Sequence, residues 1–260
     1  MRRIGPIFWP LLLIAVGVVF LLSNLGLLSF DPWQLWQLWP IILVIIGLDI
    51  LLEAALRRGR PAEVISIDQG ALSEARVSVE FGAGELRVGA GTPAGKLLEG
   101  EFSDGAEYQV RTSEVRLYGS RDWNWWGWGW RGRTWDVRLT REIPLGLRLQ
   151  LGACQARLDL SDLRVTDVTL ETGAADTSMR FPRAAGLTRA KVKAGAAQVS
   201  VSVPEGVAAR ITARMAIGSL NVDTQRFPPV GGGYASADYD TAANKLDLSI
   251  EGGVGAVSVS

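Results

Sequence analysis

The chain has 260 residues, of which 48% are hydrophobic, and its 27 basic residues balance its 27 acidic ones. A neutral chain has no general attraction for nucleic acid, so we expect no nucleic-acid partner. The chain lacks histidine and has one cysteine, Cys154. These absences remove the commonest general base, an intrachain disulfide and a thiolate zinc site, and we expect neither an enzyme nor a bound metal or cofactor.

The first 60 residues predict a hairpin of two transmembrane helices. Residues 4–30 carry no charge, and a helix over residues 9–28 would be about 30 Å long, the thickness of a hydrocarbon core. A second apolar run follows residues 29–33, which leave room only for a tight turn. We therefore predict spans at about 7–28 and 35–56 within a membrane unit of residues 1–60.

The two spans repeat one another. Each contains a Trp-Pro pair, and Gly17 and Gly47 follow their pairs at the same distance. Small residues let transmembrane helices approach closely, so both glycines are predicted to lie where the helices pack. The alternative is that glycine is simply common in membrane helices.

Basic residues set the predicted orientation. Arg2 and Arg3 precede the first span, and Arg57, Arg58 and Arg60 follow the second, whereas the connection between the spans has no Lys or Arg. The positive-inside rule then places the amino terminus and the domain after residue 60 in the cytoplasm.

One carboxylate, Asp49, lies within the second span. An intramembrane carboxylate is costly and suggests function, so Asp49 is a candidate contact for a partner. Alternatively, it lies near enough to the helix end to reach water or Arg57.

Residues 61–260 predict a repetitive β domain. Apolar residues alternate with polar ones, as in residues 77–81 and 198–203, which is typical of half-buried strands. A Gly-Ala signature recurs, and Gly152, Gly173, Gly195 and Gly218 follow one another at 21, 22 and 23 residues. That period predicts stacked coils in a β-solenoid with two facing sheets, each coil with a tight corner at its glycine. An antiparallel β-sandwich is the alternative fold. Cys154 follows one corner and is interpreted as a small strand residue rather than a reactive thiol.

A Trp-rich insertion, residues 121–135, interrupts the repeat and holds six of the ten tryptophans. Indoles beside arginines suit a membrane surface, a sugar, a base or a protein partner. The alternative is a hairpin that shields the edge of the solenoid. The candidate contact residues are Trp123, Trp125, Trp126, Trp128, Trp130, Arg131 and Arg133.

The most specific motif is an ordered succession near the carboxyl terminus. Val203-Pro204-Glu205-Gly206-Val207 leads to Ile217-Gly218-Ser219-Leu220-Asn221-Val222 and then to Gly252-Gly253-Val254-Gly255-Ala256-Val257. With these motifs the β domain resembles the toastrack domain of LiaF-like bacterial cell-envelope stress proteins. The paired Trp-Pro…Gly spans resemble the LiaI/LiaF-type transmembrane region. The resemblance implies a bacterial plasma-membrane protein that senses or regulates envelope stress, restrains a sensor histidine kinase and has no catalytic residues.

Two functions remain open from the sequence. The first is a non-enzymatic membrane regulator that contacts a sensor histidine kinase or another membrane protein. The alternative is a structural or adhesive membrane-surface module that binds lipid or assembles with copies of itself as a homo-oligomer.

An enzyme would require several carboxylates to converge in one cleft. The candidates are Asp159, Asp162, Asp167 and Asp176. We expect no such site, because Asp on turns usually serves the turn and no nucleophile motif is present.

Overall fold

The computed structural model describes residues 62–103, 105–119 and 133–260. The chain divides into the units Met1–Arg60 and Pro61–Ser260, and the described residues belong to the second. The predicted membrane hairpin, with Gly17, Gly47 and Asp49, lies outside the described residues, as do residues 121–132 of the Trp-rich segment. Within the described ranges, no helix is long and apolar enough to cross a membrane.

The described residues form an all-β domain, as the period-two pattern predicts. They contain fourteen strands that join in one sheet. In chain order these are β1 (Glu63–Asp68), β2 (Ala75–Ala90), β3 (Lys96–Phe102), β4 (Ala106–Arg111), β5 (Glu114–Gly119), β6 (Thr134–Leu139), β7 (Leu145–Asp159), β8 (Val165–Thr172), β9 (Asp176–Arg180), β10 (Leu187–Ser202), β11 (Ala208–Val222), β12 (Pro229–Val230), β13 (Gly233–Ala235) and β14 (Lys245–Val259).

The long strands pair in parallel with one another, but not always in chain order, because β14 lies between β10 and β11. The sheet order is β1-β3-β6-β2-β7-β8-β10-β14-β11-β13-β12. Both β8 and β9 lie between β7 and β10: β8 pairs with the first parts of these two strands, and β9 pairs with their last parts. Strand β2 pairs with β7, β10 with β14, and β14 with β11, all in parallel register. Antiparallel pairing among the described strands is confined to the two ends of the stack.

Each long strand passes a corner without interruption. The first part of β7 pairs with β8 and its last part with β9. Core-facing side chains along β7 have odd numbers up to Leu151 and even numbers from Cys154 onward, with Gly152 and Ala153 both exposed. The sequence predicts this corner, but the structure places it inside one strand, because neighbours on both sides hold the backbone extended through it. We call the parts before and after the corner the first and second arms.

A column of glycines explains why the signature recurs. Gly82, Gly152, Gly173, Gly195 and Gly253 lie side by side at the corners of neighbouring strands. A Cβ atom added to Gly195 would lie 2.8 Å from the carbonyl oxygen of Gly173, and one added to Gly253 would lie 2.8 Å from that of Gly195. A side chain at Gly195 or Gly253 would therefore collide with the neighbouring backbone, whereas a Cβ atom on Gly82 would meet nothing within 4 Å. Gly218, the fourth glycine of the predicted period, does not continue this column, because it pairs with Gly255, which in turn pairs with Ala197 and not with Gly195.

The core is apolar, and one end of it is aromatic. Trp135 of β6 is fully buried, with ring centroids 5.1 Å from Phe81 and 5.0 Å from Phe102. The sequence interpretation counted Trp135 with the Trp-rich insertion. The structure corrects this, because β6 begins at Thr134 and directs the Trp135 indole into the core.

Cys154 faces the core from β7 and is 8% exposed. Burial raises the pKa of its thiol to about 11. The residue is therefore a small strand residue with little thiolate at neutral pH, as the sequence suggests.

Candidate interaction surfaces

Arg133 is the one sequence-predicted contact residue that lies within the described ranges. It is half-buried at the start of β6, and its carbonyl oxygen accepts a hydrogen bond from the Glu85 N–H at 2.8 Å. A Cβ atom on Gly84 would collide with that carbonyl group. Arg133 therefore takes part in the strand pairing next to β2, and its place as a contact residue for a partner stays a prediction.

The carboxylates considered for acid–base chemistry are spread over the domain. Asp159 accepts a hydrogen bond from the Ser161 hydroxyl at 2.6 Å, and this bond holds the pKa of Asp159 below its usual value. Asp162 lies in the same turn, Asp167 in β8 and Asp176 in β9. Among the described residues, no three acidic or cysteine side chains are grouped closely enough to hold a metal ion. Asp159 thus serves its turn, as Asp commonly does.

A groove of about 660 Å³ runs along the corners of neighbouring strands from β7 to β14. The corner glycines line it, and its charged and amide side chains are Gln150, Glu171, Lys193 and Glu251. Glu171 accepts a hydrogen bond from Gln150 Nε2 at 3.3 Å and lies 3.6 Å from Lys193 Nζ. We call this surface the corner groove. Because it is open and both signs of charge line it, it suits a polar protein segment better than an enclosed small molecule.

A second cluster lies against the first arms of β11 and β14. The buried Tyr239 donates its hydroxyl hydrogen to Asp247 Oδ1 at 2.5 Å, and the Arg210 guanidinium lies 4.0 Å from the Tyr239 ring centroid. Burial, together with the bond to Asp247, raises the pKa of Tyr239 to about 12. This cluster holds the segment after β13 against β11 and β14, so it is a cap on the sheet edge.

The second arm of β11 is a different kind of surface. Ile217 is 69% exposed, and its neighbour Val254 in β14 is 54% exposed. The sequence identifies residues 217–222 as a shortened repeat but does not identify them as an edge. The signal that could have found it is the absence of charge from residue 215 to 222.

Two family models match the chain in succession. Residues 58–202, more than half of the chain, match the model described as the N-terminal domain of toast_rack, DUF2154. Residues 7–51 match the model described as the LiaI-LiaF-like transmembrane region. No curated protein matches the sequence.

Solved structures with a similar fold include one from Clostridium sporogenes, provisionally named a cell adhesion protein. It is 20% identical with a TM-score of 0.67, over 77% of this chain and 99% of that chain. A provisionally named adhesin from Bacteroides fragilis is 11% identical over 76% of this chain and 97% of that chain, with a TM-score of only 0.25. The first similarity shows a shared fold, and the second carries no further argument.

Proposed function

The chain belongs to the toast_rack family and carries a LiaI-LiaF-like transmembrane region, and from this premise we propose that it regulates the bacterial envelope-stress response. It is anchored in the membrane by that region and acts through protein–protein contacts, without catalysis of its own. The observation that carries the proposal is the order of the two family matches, residues 7–51 and then 58–202, which joins a membrane anchor to a β domain.

The proposed partner is a sensor histidine kinase or another membrane protein of the plasma membrane. Two spans with basic residues outside both ends support a cytoplasmic amino terminus and a cytoplasmic β domain. Asp49 and the Trp-rich segment are the proposed contacts at and within the membrane, because a carboxylate in a span and clustered indoles are both unusual without a partner.

The β domain supplies the corner groove as its proposed contact surface. Parallel pairing at the coil spacing and the glycine column support a solenoid-like description of the domain. Such a stack is a rigid platform, and the corner glycines let a partner segment approach the sheet closely. Lys193 and Glu251 at the rim offer charges of both signs for polar recognition.

The experiment compares charge reversal in the corner groove with charge reversal elsewhere. A strain without the chain is complemented with the wild type, with Lys193→Glu or with Arg157→Glu, and an envelope-stress reporter is read before and after a cell-wall antibiotic. Lys193 and Arg157 are 46% and 53% exposed, and among the described residues each forms one ion pair, Lys193 with Glu171 and Arg157 with Glu85. Such pairs contribute little to stability, about 0–1 kcal/mol.

We expect loss of the chain and Lys193→Glu to change the reporter signal, while Arg157→Glu behaves as wild type. A reporter that ignores loss of the chain would overturn the regulatory function. A response to loss of the chain, with both variants behaving as wild type, would overturn only the corner groove as the contact surface.

The second candidate function is an adhesive or structural module at the membrane surface, in contact with lipid. The similarity to the Clostridium sporogenes protein favours it only through the shared fold. Adhesion requires the β domain to lie outside the cell. A membrane-impermeant thiol reagent would then label Ser260→Cys on intact cells, whereas the regulator with a cytoplasmic domain would be labelled only after lysis.

A further inference from the structure

The two ends of the stack are closed differently. At the amino-terminal end, the first arm of β2 is followed by β5 and β4, and its second arm by β6, β3 and β1. At the other end, Arg210 and Ile211 are the residues of β11 that pair with β13. In the part of the chain that the structure describes, no strand pairs with the outer side of residues 212–222. At this end of the sheet, the last strand on the side of the second arms is therefore β11, one of the long repeated strands.

This edge presents main-chain groups to an incoming strand. The Asp223 N–H donates to the Val259 carbonyl oxygen of β14 at 3.0 Å, so it points into the sheet. Main-chain groups alternate in direction along a strand, and those of Leu220 and Val222 therefore point toward the open side. A free row of donors and acceptors is a template for pairing with another chain.

The edge also lacks two of the features that usually keep an edge strand unpaired, charge and proline. Residues 215–222 contain no charged side chain and no proline, and both are common protections of natural edges. By contrast, the terminal strand β1 begins and ends with Glu63 and Asp68, the terminal strand β4 carries Glu107 and Arg111, and β12 has only two residues. The second arm of β11 is thus the terminal strand whose chemistry best suits addition of a further strand.

We propose that this edge pairs with the same edge of a second copy of the chain, antiparallel, about a two-fold axis at Leu220. In that register Leu220 faces its own copy, Ser219 faces Asn221, and Gly218 faces Val222. Small polar residues meet on the outer face, and no charge meets a like charge. The sheet continues from one copy into the next through an isologous interface.

The argument for a second copy is the self-complementarity of this short segment. On the outer face Asn221 already continues a row of small polar residues, Ser178, Ser200 and Ser258, across the second arm. Ser219 of a copy extends that row without a mismatch. Anchoring in one membrane raises the effective concentration of copies relative to one another. The inference stands whether the chain regulates a kinase or serves as a surface module.

Disulfide trapping of the full chain in native membranes tests the pairing. In the proposed register the two Leu220 Cα atoms lie about 5.5 Å apart, within the range that a disulfide spans. Leu220→Cys, in a Cys154→Ala background, should give a covalent dimer on mild oxidation. The matched control is Ser66→Cys on the exposed edge strand β1. We expect Leu220→Cys to form dimer about tenfold faster than the control, because only the former is held against its copy.

A second experiment places charge on the edge. Ser219→Lys with Asn221→Lys places two lysines opposite two others and should slow trapping at Leu220→Cys by about tenfold. The matched pair Ser178→Lys with Ser200→Lys, on interior strands of the same face, should leave trapping unchanged. The proposal is overturned if Leu220→Cys traps no faster than Ser66→Cys, or if the charged edge has no effect on trapping.

Discussion

The glycine column can be tested by adding one methyl group at a time. In Gly195→Ala the new Cβ would lie 2.8 Å from the Gly173 carbonyl oxygen, well inside ordinary contact distance. Neither backbone can move far, because each is paired with strands on both sides. Overpacking of this kind costs about 1–3 kcal/mol. For a domain of this size, a loss of about 2 kcal/mol corresponds to a fall in Tm of about 4–8 °C.

The structure also ranks the other positions. Gly173→Ala brings Cβ to 3.2 Å from the Gly152 carbonyl oxygen, so it should cost less than Gly195→Ala. The matched control is Gly89→Ala, whose Cβ meets nothing nearer than Asp159 O at 3.8 Å. It should leave the free energy of unfolding unchanged or raise it by up to about 1 kcal/mol, because alanine restricts the unfolded chain.

The assay is thermal unfolding of the full chain in mild detergent, followed by the β-sheet circular dichroism signal. The expected order of Tm is Gly195→Ala below Gly173→Ala, with wild type and Gly89→Ala highest. If Gly195→Ala unfolds within 1 °C of wild type, close backbone approach is not why glycine occupies the corner.

Three further outcomes are expected. Trp135→Ala should lower the free energy of unfolding by about 3–5 kcal/mol, since removal of a fully buried ring leaves a cavity beside Phe81 and Phe102. Trp135→Phe should cost less, because it also removes a buried indole N–H that has no partner among the described residues. Urea titration would rank the two variants. The Cys154 thiol should react slowly with a thiol reagent at pH 7.4 and faster as the pH rises toward its pKa of about 11; fast reaction in the folded protein at neutral pH would contradict its burial. Asp49→Asn should leave membrane integration intact while it weakens co-purification of a membrane partner, and unchanged co-purification and stress signalling would make Asp49 a solvated helix-end residue.

The repeat was predictable because its cause is local. Alternation of apolar residues and the spacing of Gly152, Gly173 and Gly195 follow directly from strand geometry and from the close approach of neighbouring corners. The same pattern could not show that β7 continues through its corner. Strand continuity depends on hydrogen-bonded neighbours that are distant in sequence, and one sequence does not name them.

The surfaces were harder to predict because each depends on contacts distant in sequence. Trp135 looks like its indole neighbours in sequence, and only its packing against Phe81 and Phe102 separates it from them. The Tyr239 cap lies in the segment after β13 and needs Arg210 from β11. The open edge of β11 is defined by where β13 stops, which no residue pattern announces.

The central claim is that the chain regulates envelope-stress signalling through protein contacts, and one measurement tests it most directly. The phosphorylation of response regulators is measured in cells with and without the full chain, before and after damage to the cell wall. The account predicts that loss of the chain raises phosphorylation of one response regulator in unstressed cells, because its sensor kinase is no longer restrained. Equal phosphorylation with and without the chain, both before and after damage, would contradict the account.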